Sequence, residues 1–235
     1  MAPPPGAAPG APPPMAPPPG EPPLPGPPAP GSMTLYEPPP PPIPAPDPSA
    51  HRHDGFYLRL GLGGGLVRSH VESSFGDLSA RGGGVALDLA LGGTVADGLV
   101  IGGGLYMVGM NRVTWSGEGA PGEVDGSTGS IGLFGVMADY YPDARGGFHV
   151  QSALGFGIFS FERDDETDIP PEQWGGAGGG FMFGVGYEGW VGDQWSLGGV
   201  ARVLLVSGTL REDVTDDDMD ATGFSPAILF VATHH

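Results

Sequence analysis

The sequence predicts an all-β fold: an eight-stranded antiparallel up-and-down transmembrane β-barrel preceded by a disordered proline-rich arm. Three observations carry that prediction. Proline and glycine segregate, with 24 of the 29 prolines in residues 1–50 and 40 of the 45 glycines after them, so the chain contains two regions of different physics. Eight apolar or glycine-rich stretches of strand length recur from residue 54 onward. The connections between them alternate between tight turns and long acidic segments, as in a membrane barrel with short turns at one rim and long loops at the other.

The opening "MAPPPGAAPGAPPPMAPPPGEPPLPGPPAPG" has no apolar periodicity and few backbone donors. It can form neither a helix nor a sheet ladder, which makes residues 1–53 a disordered periplasmic linker biased to polyproline II. At about 3.1 Å per residue its extended reach is on the order of 150 Å. PxxP spacings occur throughout it, but so dense a proline tract produces them by chance, and a spacer is the simpler reading. No basic start followed by an apolar stretch precedes Arg52, so the sequence predicts either a cytoplasmic chain or a mature start from which the signal has already been removed.

The barrel is assigned to residues 54–235, with strands expected near 55–68, 80–93, 98–112, 128–141, 147–161, 177–191, 194–208 and 221–234. Each is long enough for a tilted membrane strand of about 9 to 11 residues. "VADG" (95–98), "PDARGG" (142–147) and "GD" (192–193) have hairpin-turn chemistry. "SHVESSFGDLS", "VTWSGEGAPGEVDGS", "ERDDETDIPPEQWGG" and "TLREDVTDDDMD" are expected as long loops, and they hold 17 of the 27 acids.

Alternation decides which face meets lipid. In "FYLRLGLGGGLVRSH", Phe56, Leu58, Leu60, Leu62 and Leu66 share one side, and Tyr57, Arg59 and Val67 the other. The other strands repeat this pattern, with the charged residue always on the small face. Arginine at mid-depth in lipid costs roughly 2 to 4 kcal/mol, so the charged faces are expected inward. The predicted lumen network is Arg59, Asp88, Asp139, His149, Gln151, Glu188 and Arg202, with Asp139 opposite His149 by counting from the turn at 142–147. Eight strands leave a bore that side chains fill, so no open pore is expected. Phe56, Tyr57, Trp115, Tyr140, Tyr141, Phe148, Phe161, Trp174, Trp190 and Trp195 lie near segment ends or in loops and are expected as interfacial girdles.

Composition excludes several functions. The nine basic residues, all arginine, face 27 acids, for a net charge of −18, which argues against a nucleic-acid partner. With no cysteine there are neither disulfides nor thiolate metal sites. Asp216, Asp218 and Asp220 match the first ligand spacings of an EF-hand, but the glycine position is Ala221 and the twelfth is Ala227. No cofactor is expected beyond a loose divalent-cation surface formed by these residues with Asp164, Asp165 and Asp168. The nucleophile candidates, His70 with Ser69 and Glu72, and His149 with Ser152 and Asp139, are weak: Ser152 and His149 belong to opposite faces of one strand. The glycine runs lack the flanking residues of a phosphate loop.

With strand count, loop asymmetry, polar lumen and girdles in view, residues 54–235 resemble the small eight-stranded outer-membrane barrels of the OmpX type and the membrane domain of OmpA. Members usually finish on an aromatic residue, whereas Phe230 here lies five residues short of the end. The resemblance implies a monomer in the outer-membrane lipid of a Gram-negative cell. Loop placement predicts a non-enzymatic chain with a structural or surface-interaction role, its loops meeting ions, lipopolysaccharide or other surface ligands. Two alternatives stand beside it, a soluble lipocalin-like barrel for a small apolar ligand and a lipid-modifying barrel enzyme.

Overall fold

The computed structural model describes residues 51–53, 55–73, 76–117, 123–124, 127–163, 172–212 and 218–235; the proline-rich arm lies outside the described residues. The strands are β1 (Phe56–Ser73), β2 (Gly76–Ala96), β3 (Leu99–Met110), β4 (Val113–Gly117), β5 (Glu123–Val124), β6 (Thr128–Tyr140), β7 (Phe148–Arg163), β8 (Glu172–Trp190), β9 (Trp195–Glu212) and β10 (Asp218–His234). All pair antiparallel, and β1 pairs with both β2 and β10, so the sheet closes on itself and leaves no free edge in the wall.

Eight of these strands make the wall, and β4 and β5 are additions. The β2–β3 ladder runs as far as Gly84↔Met110, breaks at Asn111 and Arg112, and resumes as β2–β4 from Arg81↔Thr114. Three expected loops are shorter than the sequence suggested. The stretch 69–79 is paired strand up to Ser73↔Gly76, and in the third and fourth connections pairing runs to Arg163↔Glu172 and Arg211↔Asp218. Polarity misled here because pairing is a property of the backbone. Toward the long connections the outer face turns polar, as at Arg68, His70, Glu72 and Arg81, while Val67, Val71 and Ala80 still point inward and are buried.

At the other rim the turns are tight. Asp97 and Gly98 join β2 to β3, with Gly98 at φ +69°, where a Cβ would strike the Tyr141 carbonyl oxygen. In the β6–β7 turn the Asp143 carboxylate accepts from the Arg145 amide (3.0 Å) and its carbonyl from the Gly146 amide (2.9 Å). The β10–β1 ladder has one interruption: partners run to Gly65↔Ala227 and restart at Arg68↔Phe224, with Pro226, which has no N–H, inside the gap.

The outer surface is apolar at mid-height. Leu62, Leu87, Phe134, Leu154, Phe156 and Ile228 are all exposed, Phe156 by 73% and Ile228 by 74%. A continuous belt of this kind is incompatible with water and natural in hydrocarbon, which rules out the soluble lipocalin-like alternative.

Candidate functional site

Arg59 is the centre of the bore at the short-turn end. Alternation in β1 points it inward beside Tyr57, and it is 1% exposed. Its Nη1 donates to Gln151 Oε1 (2.7 Å) and its Nε to Thr233 Oγ1 (3.2 Å). Its Nη2 lies 2.7 Å from both Asp139 Oδ2 and Glu188 Oε1, and 2.8 Å from the Tyr141 hydroxyl. The Tyr57 hydroxyl donates to Asp139 Oδ2 (2.8 Å). Each ring nitrogen of His149 faces a carboxylate, Nδ1 that of Asp139 (2.8 Å) and Nε2 that of Glu188 (3.3 Å). The imidazole occupies space that only a glycine leaves, because a Cβ on Gly186 would collide with His149 Nε2. Buried charges persist when paired and hydrogen-bonded in this way.

Five of the seven expected lumen residues, Arg59, Asp139, His149, Gln151 and Glu188, therefore converge. The other two form a separate pair further along, Arg202 Nη2 lying 2.8 Å from Asp88 Oδ1 and donating to the Met107 carbonyl (3.1 Å). The register differs from the count: Asp139 sits opposite Gln151, and His149 reaches it from the diagonal position two residues away. The remaining length of the bore is mostly apolar, with Ser69 and Ser225 as buried hydroxyls within it. Toward the long connections Val67, Val71, Val113, Ile131, Phe159 and Phe161 fill it, all at most 3% exposed.

Below Arg59 the mouth carries a second cluster that the sequence reading missed. His53 and His235 meet nitrogen to nitrogen at 3.0 Å, and His53 Nε2 bonds the Gly146 carbonyl oxygen (2.8 Å). The Ser196 hydroxyl lies 3.0 Å from His235 Nε2 and donates to Glu188 Oε2, joining this cluster to the network. The His53 ring stacks on Tyr141 with centroids 3.6 Å apart, and Trp190 covers both histidines. Burial lowers the His53 and His235 pKa values, that of His235 to about 2 with help from His53 and Arg59, and burial raises that of Tyr141.

No family model matches the chain, and no curated relative matches it. Among solved structures, the crystal structure of outer membrane protein OprG from Pseudomonas aeruginosa is similar, with 12% identity over 79% of this chain and 99% of that one and a TM-score of 0.51. The fold is that of a small outer-membrane β-barrel. AlkL, solved by solid-state NMR in DMPC lipid bilayers, matches 82% of this chain and 95% of its own at 15% identity and TM-score 0.49. Neisserial surface protein A matches 74% and 96% at 15% identity and TM-score 0.39.

The girdle of this outer-membrane-type barrel is narrower than expected. Phe56, Tyr140, Phe148 and Trp195 are exposed at the short-turn rim, with Tyr187 beside them. The other expected members turn inward. Tyr57 and Tyr141 belong to the Arg59 network, Trp190 lies over the histidine pair, and Trp115, Phe161 and Trp174 pack together at the opposite mouth. Each sits an even number of residues from an inward residue of its own or the adjoining strand, such as Arg59, Asp139 or Glu188, so parity carried the signal that nearness to a loop obscured.

Both nucleophile candidates are split by the wall: Ser69 is buried inside while His70 is exposed outside, and Ser152 lies on the face opposite His149. Of the acidic-loop residues, Asp164, Asp165, Asp168 and Asp216 lie outside the described residues, Asp218 begins β10, and Asp220 is exposed on that strand. No helix among the described residues is long and apolar enough to cross a membrane, which is no bar to crossing by strands.

Proposed function

We propose that this chain is a monomeric, non-conducting outer-membrane barrel, a surface scaffold that presents its acidic connections outside the cell and catalyses no reaction. The observation that supports the reading best is the seal around Arg59. Its guanidinium joins β1 to side chains of β6, β7, β8 and β10, and the histidine pair and Trp190 lie beneath it. Above, the Arg202–Asp88 pair and an apolar tier occupy the remaining bore. A bore so filled leaves no continuous water path.

Reconstitution of the full chain in planar bilayers tests this. We expect a flat current trace at 100 mV, and discrete reproducible conductance steps would overturn the reading. The scaffold's outward work is assigned to its carboxylates, which bind divalent cations loosely and bridge to lipopolysaccharide. Exchanging the acids of 162–176 and 209–220 for amides is expected to abolish calcium binding and weaken lipopolysaccharide association. If neither changed, the interaction role would lose its basis.

A further inference from the structure

Among the described residues, the mouth opposite the histidine pair has an apolar lining. It holds a cavity of about 170 Å³. Val71, Leu78, Leu210 and Met219 form its aliphatic side. Trp115, Phe161 and Trp174 form the other, with ring centroids 5.5 Å apart for Trp115–Phe161 and 5.8 Å for Trp115–Trp174. Val71, Phe161 and Leu210 are buried, whereas Leu78, Trp115, Trp174 and Met219 are half-buried and border the opening.

We propose that this cavity binds a small uncharged apolar molecule of single-ring size that enters from the long-connection side. Size is the first argument, since a dry protein cavity of about 150 Å³ lined by aliphatic and aromatic side chains takes up benzene. Chemistry is the second. All seven lining side chains are apolar, and their two hydrogen-bonding atoms are the indole nitrogens of Trp115 and Trp174. A ligand carboxylate would therefore be buried without a cation to pair with, and the chain's charge of −18 opposes its approach. Two indoles and a phenyl ring offer edge and offset faces to an aromatic guest. The third argument is contrast with the bore beneath, where Leu133, Met182 and Leu204 are 0% exposed. Side chains fill the bore at those residues, and space opens where the aromatics gather.

The site is a dead end beneath which Ile131 and Phe159 close the bore, and its occupancy is read out separately from conductance. The test uses the full chain in lipid nanodiscs with Trp190→Phe and Trp195→Phe, so that emission reports Trp115 and Trp174 alone. Titration with toluene is expected to give a saturable change in emission, and benzoate none. Val71→Phe, which fills the cavity, is expected to weaken the toluene response about tenfold or more. Gel migration before and after heating verifies its barrel. Leu210→Ala, which enlarges the cavity, is expected to shift preference from toluene toward naphthalene, and it decides the matter if Val71→Phe does not fold. A response that never saturates, that is equal in folded Val71→Phe, or that keeps its ring-size preference in Leu210→Ala reports partition into lipid and overturns the proposal.

Discussion

Arg59 and Glu188, 129 residues apart in sequence, meet across the bore at 2.7 Å with both side chains shut off from solvent. The contact ties β1 to β8, strands that share no ladder. Removing one partner strands the other's charge in a low dielectric. Arg59→Met is therefore expected to lower stability by about 3 to 5 kcal/mol, seen as a drop in the urea midpoint in micelles. Adding Asp139→Asn and Glu188→Gln to that variant is expected to recover most of the loss. A single variant as stable as the parent would show that the network contributes nothing.

The histidine pair makes the same mouth sensitive to acid. His53 and His235 bind protons less readily when packed here than at the ordinary value of 6.5. Folded chains thus hold fewer protons than unfolded ones, so the contribution of this cluster is complete above pH 6.5 and is lost as pH falls below it. The urea midpoint in micelles is expected to fall between pH 7 and pH 5, and the fall to shrink in a His53→Gln, His235→Gln variant. A parent whose midpoint is the same at both pH values would refute the coupling.

Pro226 is expected to be the cause of the gap between β1 and β10. Pro226→Ala supplies the missing N–H, and hydrogen exchange across residues 65–68 is expected to slow. The net stability change is expected to be small, because alanine also gives the unfolded chain more freedom. Exchange that stays fast there would place the cause elsewhere.

The lipid face has its own signature. Phe156, 73% exposed and paired with Phe134 and Gly179, marks the middle of the belt. Phe156→Arg is expected to cost about 2 to 4 kcal/mol on folding into bilayers. Refolding yields equal to the parent's would mean that the belt does not contact hydrocarbon.

Much of this was legible because a strand's period of two leaves little choice. Once Arg59 and Leu60 were adjacent, one had to face lipid, and the same logic oriented Asp88, Glu188 and Arg202. What proximity in sequence does not encode is register. The diagonal reach of His149 to Asp139 and the split of Arg202 and Asp88 from the main network depend on how far neighbouring strands slide. The histidine cluster escaped for a related reason, since His53 and His235 lie 182 residues apart and meet only because β1 and β10 close the ring. The extent of the strands was hidden by their polar outer faces. Tyr57 and Trp190 were misplaced by giving position near a turn more weight than parity along the strand.

The length of the β1–β2 hairpin has a consequence for recognition. At about 3.3 Å per residue and a tilt near 40°, the 21 residues of β2 rise on the order of 50 Å, twice the height of a typical apolar band of about 25 Å. The barrel thus stands above the bilayer as a rigid turret. Antibodies or phage that grip its walls would read shape assembled from several strands at once, and sera raised against linear peptides from residues 69–79 would miss the folded protein.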